Sequence, residues 1–93
     1  MTTRRRIAVH GAGIAGLTAA FHLQSLGHDV TVLEASDRLG GNILTEERDG
    51  CRIEWGPNGF LDNEPATLEL VERLGLTPRL VRARDEAARR FIY

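Results

Sequence analysis

Three glycines spaced as G-x-G-x-x-G stand near the start of this 93-residue chain, between an apolar segment and a helix-forming one. A strand, a glycine turn and a helix in that order predict a βαβ unit. In such a unit a pyrophosphate lies on free N–H groups at the positive end of the helix dipole. The residues expected to hold it are Gly11, Ala12, Gly13, Ile14, Ala15 and Gly16.

The segments on either side of the turn fit this unit. Residues 7–9 predict an apolar strand, which in a parallel sheet is buried on both faces. Residues 14–26 predict a helix that is apolar on most of its circumference and ends at Gly27. Residues 30–33 predict a second strand, and Glu34 follows it 18 residues after the third glycine. An acid about 20 residues on binds ribose hydroxyls, and its charge disfavours the 2′-phosphate of NADP.

The residues after the second strand carry a resemblance to a known family. Residues 34–41 read E-A-S-D-R-L-G-G and resemble the E-x-x-x-R-x-G-G continuation of FAD-binding amine-oxidase and desaturase-type flavoproteins. The glycine turn alone leaves FAD, NAD and a unit without nucleotide open, whereas the resemblance implies FAD. It also implies that Ala35, Arg38, Gly41 and Asn42 approach the pyrophosphate and adenosine side of the cofactor.

Within that superfamily, later segments are similar to the protoporphyrinogen oxidases of haem biosynthesis. The similar segments are 54–60 (E-W-G-P-N-G-F), 63–66, 74–76 and 90–93 (R-F-I-Y). The resemblance implies that a loop passes near the flavin ring, formed by Gly56, Pro57, Asn58 and Gly59. It also implies that Arg90, or Arg89 beside it, faces a substrate carboxylate, which arginine can meet with two parallel hydrogen bonds.

The fold class expected from these features is α/β. It consists of a Rossmann-like βαβ FAD-binding segment with a following β-hairpin and helix, as the truncated N-terminal part of a larger flavoenzyme. Residues 1–93 are expected to be the N-terminal part of one FAD-binding domain. Its dinucleotide motif would span 5–41, and the hairpin, loop and helix would span 42–93.

The activity implied by the resemblance is oxygen-dependent oxidation of protoporphyrinogen IX or coproporphyrinogen III to the porphyrin. The partners are then a porphyrinogen and dioxygen, and the 93-residue chain alone is expected to be inactive. The alternatives are another FAD-dependent amine oxidase or carotenoid desaturase, or a non-catalytic nucleotide-binding fragment. The residues give no catalytic acid or base and no metal site, since the flavin carries the chemistry.

The second half of the chain predicts a hairpin and an amphipathic helix. Asp49-Gly50 stands between segments 43–48 and 51–55, which is a strong two-residue hairpin signal. Trp55, at the end of that hairpin, is interpreted as a core aromatic residue. A helix is predicted over 65–74, with Asp62 or Asn63 as its cap. Its stripe of Leu68, Val71 and Leu74 is expected to be core packing, and short strands are predicted at 80–81 and 91–93.

Composition limits the classes of function. The net charge of −1 is too balanced to argue for nucleic acid binding. No apolar run reaches the roughly 20 residues of a membrane span, and no signal peptide is recognised. The single Cys51, interpreted as a small packed residue, fits a reducing cytoplasm. A cytoplasmic location is therefore expected, with membrane association through regions outside this chain and self-association through exposed sheet edges.

His10 stands directly before the glycine turn, where the resembled family usually has an aliphatic residue. It is interpreted as a structural residue at the end of a buried strand, since a neutral histidine there is more often satisfied by its surroundings than functional.

Overall fold

The computed structural model describes residues 3–85 of the chain. Strand β1 (Arg6–His10), helix α1 (Ile14–Ser25) and strand β2 (Asp29–Leu33) follow one another at the start. The two strands pair in parallel, with Ile7 opposite Val30 and His10 opposite Leu33. This strand–helix–strand unit confirms the predicted α/β, Rossmann-like class.

The parallel sheet has one covered face and one open face in the described part of the chain. Ile7 and Val9 of β1 and Val30 and Val32 of β2 are half-buried, and Val9 lies beside Gly16 at the start of α1. Their neighbours Ala8, Thr31, His10 and Leu33 are exposed. The prediction that β1 is buried on both faces is wrong for these residues, because a two-stranded sheet with its helix on one side leaves the other side open.

The hairpin prediction is confirmed. Strands β3 (Thr45–Arg48) and β4 (Cys51–Glu54) pair antiparallel around the two-residue turn. Asp49 and Gly50 have φ values of 53° and 76°, which suits the turn type whose twist matches that of the strands. Cys51 is exposed, so its interpretation as a packed residue is wrong. Its position on a short two-stranded ribbon leaves its side chain in contact with solvent.

Helix α2 (Pro65–Arg73) forms as predicted, but its cap and its apolar stripe differ from expectation. Glu64 is the N-cap residue, and its carboxylate accepts a hydrogen bond from the Ala66 N–H. Asp62 and Asn63 precede the N-cap position, because the helix already begins at Pro65. No residue of α2 is buried in the described chain, and Leu68 and Leu74 are exposed.

A short 3-10 helix, Thr77–Arg79, follows α2. The strand predicted at 80–81 is wrong, since those residues have no strand partner within 3–85. The Leu80 N–H instead donates to the Thr77 carbonyl, 3.1 Å away, and closes the 3-10 turn. The strand predicted at 91–93 lies outside the described residues.

The chain divides into two compact units between Gly59 and Phe60. The βαβ unit and the hairpin belong to the first, and α2 with the 3-10 helix to the second. In the first unit Ala12 and Ala20 are the buried apolar residues. Among residues 3–85, none of the helices has the length and apolar character that crossing a membrane requires.

Candidate cofactor site

The glycine turn connects the end of the sheet to the start of α1. The Gly11 N–H donates to the Leu33 carbonyl at 2.7 Å, which ties the start of the turn to the end of β2. Gly13 is the N-cap residue of α1, and the helix start receives no side-chain cap from the described residues. No acidic residue occupies the first turn of the helix. The first N–H groups of α1 are therefore not capped by a side chain of the described residues, as an anion-binding helix start requires.

Gly16 is required by packing inside the protein. A Cβ built at this position would overlap the carbonyl oxygen of Gly11 and would lie 3.1 Å from its carbonyl carbon. Both obstructing atoms belong to the backbone, so they cannot move aside as a flexible side chain would. The turn and the first turn of α1 lie this close together because residue 16 has no side chain.

Gly13, unlike Gly16, is not required by packing inside the protein. A Cβ built there would meet one atom within 4 Å, the Gly41 Cα at 3.9 Å, which is ordinary van der Waals contact. Its backbone angles, φ −78° and ψ −177°, are open to any residue. The fold therefore does not demand glycine at this position, whereas a pyrophosphate lying against the backbone would.

Glu34 lies at the end of β2 and connects the second strand to the glycine turn. One carboxylate oxygen accepts the Ala12 N–H at 2.8 Å. The other accepts the Ser36 N–H at 2.9 Å and the Ser36 hydroxyl at 2.7 Å. These bonds, with that from Ala12 the largest contribution, lower the pKa of Glu34 to about 2 from its ordinary value of 4.5. The side chain is therefore an ionised acceptor, the form suited to binding ribose hydroxyls.

The segment after Glu34 returns to the glycine turn. The Gly40 N–H donates to the Ala12 carbonyl at 2.7 Å. The Arg38 guanidinium donates to the Gly41 carbonyl at 2.6 Å and to two further carbonyls of the same loop, Leu39 at 3.2 Å and Ile43 at 3.3 Å. Arg38 thus shapes the loop that lies against the turn, and this use of its side chain was not foreseen from the sequence.

The loop of residues 56–59 begins against this segment. A Cβ on Gly56 would overlap the Asn42 carbonyl oxygen, so glycine is required where the two segments approach. Pro57, Asn58 and Gly59 are exposed. Their expected position near a flavin ring stays a prediction. Trp55, interpreted from the sequence as a core residue, is instead 61% exposed, and its indole N–H donates to Glu46 at 2.7 Å.

The structure brings most of the sequence-predicted residues together. Those at 11–16, 34–35 and 38–42 lie within one continuous arrangement around the turn, and Gly56 adjoins it through Asn42. Arg90 lies outside the described residues. The Glu34–Ala12 bond and the Gly56–Asn42 approach join residues far apart in sequence, so no local pattern could have shown them.

The arrangement fits the adenosine diphosphate half of a dinucleotide. An uncapped helix start would hold the pyrophosphate, the open space at Gly13 would admit it, and the ionised Glu34 would hold the ribose. The fold and the site together define a dinucleotide-binding protein of the βαβ type.

Comparison with known proteins identifies the family. The model of the flavin-containing amine oxidoreductases matches residues 14–93, and the chain belongs to this family. Its cofactor is FAD, whose flavin supplies the redox chemistry when bound.

The relatives of this chain have several substrates. It is 41% identical to a coproporphyrinogen III oxidase of Propionibacterium freudenreichii subsp. freudenreichii, covering 81% of this chain and 14% of the relative. It is 44% identical to the flavin-dependent L-tryptophan oxidase RebO of Lentzea aerocolonigenes, covering 82% and 17%. A solved structure of putrescine oxidase matches with a TM-score of 0.69 and 39% identity, covering 81% and 17%. The chain thus spans between about a seventh and a sixth of the length of these relatives.

Proposed function

We propose that this chain is the FAD-binding segment of an oxidase that converts a porphyrinogen to its porphyrin with dioxygen as electron acceptor. The substrate is protoporphyrinogen IX or coproporphyrinogen III. One observation carries the proposal: residues 54–60 read E-W-G-P-N-G-F, a segment that resembles the porphyrinogen oxidases. The first glycine of that segment is the one packed against the Asn42 carbonyl, at the edge of the cofactor site.

The coproporphyrinogen III oxidase relatives support this substrate class. In the proposal, the described residues bind and orient the cofactor and do not touch the substrate. The uncapped start of α1 binds the pyrophosphate, Glu34 binds the ribose, and Arg38 shapes the loop that lies against the turn. The 93-residue chain alone is then inactive, because the substrate pocket requires segments that it does not contain.

Arg90 is proposed to face a substrate carboxylate. Porphyrinogens are apolar macrocycles with carboxylates on flexible arms, so a pocket for them requires a cation at its rim. Arg90→Ala in the gene product that carries this chain should raise KM for the porphyrinogen and leave flavin content unchanged. A raised KM in Arg89→Ala instead would move the assignment by one residue, and an unchanged KM in both variants would refute it.

The substrate class is tested by purifying the gene product that carries this chain and recording its flavin absorption. Protoporphyrinogen IX and coproporphyrinogen III are then supplied in air, and porphyrin formation is followed by fluorescence. The proposal predicts flavin-dependent formation of porphyrin at least tenfold faster than spontaneous oxidation. A yellow protein that leaves both porphyrinogens at the spontaneous rate would refute it.

A second candidate is an amine or amino-acid oxidase, which the 44% identity to the L-tryptophan oxidase favours. The same preparation distinguishes the two candidates. L-Tryptophan and putrescine are supplied in place of the porphyrinogen, and hydrogen peroxide is measured. Peroxide released with either amine, together with no porphyrin formation, would establish the second candidate.

A further inference from the structure

Ser36 lies two residues after Glu34, in the loop that follows β2, and its side chain is exposed. Its hydroxyl oxygen lies 2.7 Å from one carboxylate oxygen of Glu34 and 2.9 Å from the Arg38 carbonyl oxygen. The Arg38 N–H donates to the same hydroxyl oxygen at 3.3 Å. A hydroxyl has one hydrogen, and the ionised carboxylate is both the closer and the stronger acceptor. The hydroxyl therefore accepts from the Arg38 backbone and donates to Glu34.

The two oxygens of the Glu34 carboxylate are held by different groups. Oε1 accepts one hydrogen bond, from the Ala12 N–H. Oε2 accepts two, from the N–H and the hydroxyl of Ser36. A carboxylate has about four acceptor positions, two on each oxygen. Within the described part of the chain Ser36 fills those of Oε2, and one remains on Oε1, so Ser36 determines which oxygen is presented to a ligand.

The same serine closes a ring of hydrogen bonds that includes the Ala12 residue of the glycine turn. The Ala12 N–H is bound by Glu34, and the Ala12 carbonyl accepts from the Gly40 N–H at 2.7 Å. Gly40 belongs to the loop that the Arg38 guanidinium shapes, and the Arg38 N–H leads back through Ser36 to Glu34. One hydroxyl group thus connects the acceptor for the ribose with the loop that lies against the turn.

We propose that Ser36 is a positioning residue, which orients the Glu34 carboxylate toward the ribose and so sets how strongly the site prefers nucleotides that carry ribose hydroxyls. The serine does not touch the nucleotide and acts through Glu34. After the N–H bonds from Ala12 and Ser36, the Ser36 hydroxyl bond is the next cause that lowers the pKa of Glu34. Residue 36 is an unspecified position of the E-x-x-x-R-x-G-G pattern, so the pattern gives it no role. The proposal rests on the FAD site and not on the porphyrinogen assignment.

The test uses the gene product that carries this chain, freed of flavin, and measures binding of ADP, 2′,3′-dideoxy-ADP and inorganic pyrophosphate by calorimetry. Ser36→Ala should weaken ADP binding about fivefold, the size of one lost hydrogen bond. Binding of dideoxy-ADP and of pyrophosphate should stay within about twofold, because neither carries a ribose hydroxyl for Glu34 to accept. Ser25→Ala is the matched control, since the exposed Ser25 hydroxyl donates to the Phe21 carbonyl on α1 at 2.8 Å. All three affinities should be unchanged in that control.

Three further variants keep the test decisive if Ser36→Ala alters the loop. Ser36→Thr retains the hydroxyl, and Ser36→Val has nearly the shape of threonine without it. Wild-type preference for ADP over dideoxy-ADP in Ser36→Thr, with loss of that preference in Ser36→Val, would support the proposal. The double variant Glu34→Gln/Ser36→Ala shows whether the hydroxyl acts through the carboxylate. Added to Glu34→Gln, Ser36→Ala should change ADP affinity by less than about twofold.

Several results would overturn the proposal, and each has a different meaning. Wild-type ADP affinity in a folded Ser36→Val protein would show that the hydroxyl is not needed. An equal loss for ADP and dideoxy-ADP would place its effect in the loop and not at the ribose. A full fivefold loss on top of Glu34→Gln would show that Ser36 contacts the nucleotide directly. A wild-type protein that binds neither ADP nor pyrophosphate would refute the nucleotide site itself, whatever the substrate.

Discussion

The cofactor side of this chain and the segment after Gly59 are built in different ways. Between Gly11 and Gly41 the turn, the strand end and the loop hold one another through backbone groups and the side chains of Glu34 and Arg38. Among the described residues of the second unit most large apolar side chains are exposed, with Leu61 at 76% and Val81 at 91%, whereas Leu70 and Val71 are half-buried. The first arrangement owes its shape to close backbone contact. The described residues of the second have the hydrogen bonds of their helical turns and an exposed ion pair between Arg82 and Asp62 at 3.9 Å.

The difference indicates where substitutions matter. Two backbone segments in direct contact leave no room for a methyl group, so the removal of a glycine there displaces the backbone itself. A side chain on an exposed helix has space around it, and its replacement changes little. We therefore expect large effects in the glycine turn and small ones in α2.

The largest effect is expected for Gly16→Ala. The new Cβ would overlap the Gly11 carbonyl oxygen, and neither backbone segment can give way without loss of the turn. We expect a destabilisation on the order of 4 kcal/mol or more and loss of flavin. Thermal unfolding and the flavin absorption of the gene product that carries this chain measure both.

Gly59→Ala is the matched control for that variant. A Cβ at Gly59 meets no atom within 4 Å, and its φ lies outside the left-handed region. Its melting temperature should stay within the error of the wild type. Equal stability of Gly16→Ala and Gly59→Ala would show that the turn is not packed as described.

Gly13→Val should separate the cofactor from the fold. A Cβ at Gly13 makes ordinary contact with the Gly41 Cα at 3.9 Å and meets no other atom within 4 Å, so the protein should fold with an unchanged circular dichroism spectrum. The side chain would occupy the space of the pyrophosphate, and FAD retention should fall at least a hundredfold. Stoichiometric flavin in this variant would contradict the placement of the pyrophosphate.

Glu34→Gln should have an intermediate effect, on the order of a tenfold loss of ADP affinity, because the charged acceptor for the ribose is lost.

The same variant tests the pH dependence of stability. Since the pKa of Glu34 lies at about 2, below its ordinary 4.5, its bonds to Ala12 and Ser36 favour the ionised form. Their stabilising contribution is fully present above about pH 4.5 and is lost as the pH falls toward 2. The stability difference between wild type and variant should therefore shrink over that interval. If the stability difference between wild type and Glu34→Gln did not vary with pH, this account of the Glu34 hydrogen bonds would be contradicted.

The smallest effect is expected for Glu64→Ala. Its hydrogen bond to the Ala66 N–H is long, at 3.5 Å, and the helix it caps buries no residue among those described. The free energy of unfolding should change by less than about 0.5 kcal/mol, and flavin content should not change. A loss comparable to that of Gly16→Ala would remove the contrast between the two regions.

The sequence predicts those parts of the fold that local signals determine. The G-x-G-x-x-G spacing places the turn, and Asp49-Gly50 places the hairpin, since both positions have positive φ. The prediction of a strand at 80–81 is wrong. Two adjacent apolar residues are typical of a strand, whereas Pro78 and the Thr77–Leu80 hydrogen bond favour a 3-10 turn. Strand formation depends on a partner, which a short apolar pattern does not supply.

In the candidate site, too, local sequence signals identify residues but not the contacts that they make. The pattern identifies Glu34 and Arg38 as residues of the site, but it cannot show that Glu34 accepts the Ala12 N–H or that Arg38 donates to three carbonyls. These contacts depend on how separate segments come together in space.

The bond between Glu34 and Ala12 has a consequence for how quickly the site responds to its ligand. The carboxylate is already held in place by the turn before any nucleotide arrives, so binding does not have to immobilise that side chain. A preorganised acceptor saves the entropy of ordering a flexible glutamate, which favours affinity without any additional contact. Association should then proceed in one step, without a slow rearrangement of the strand end.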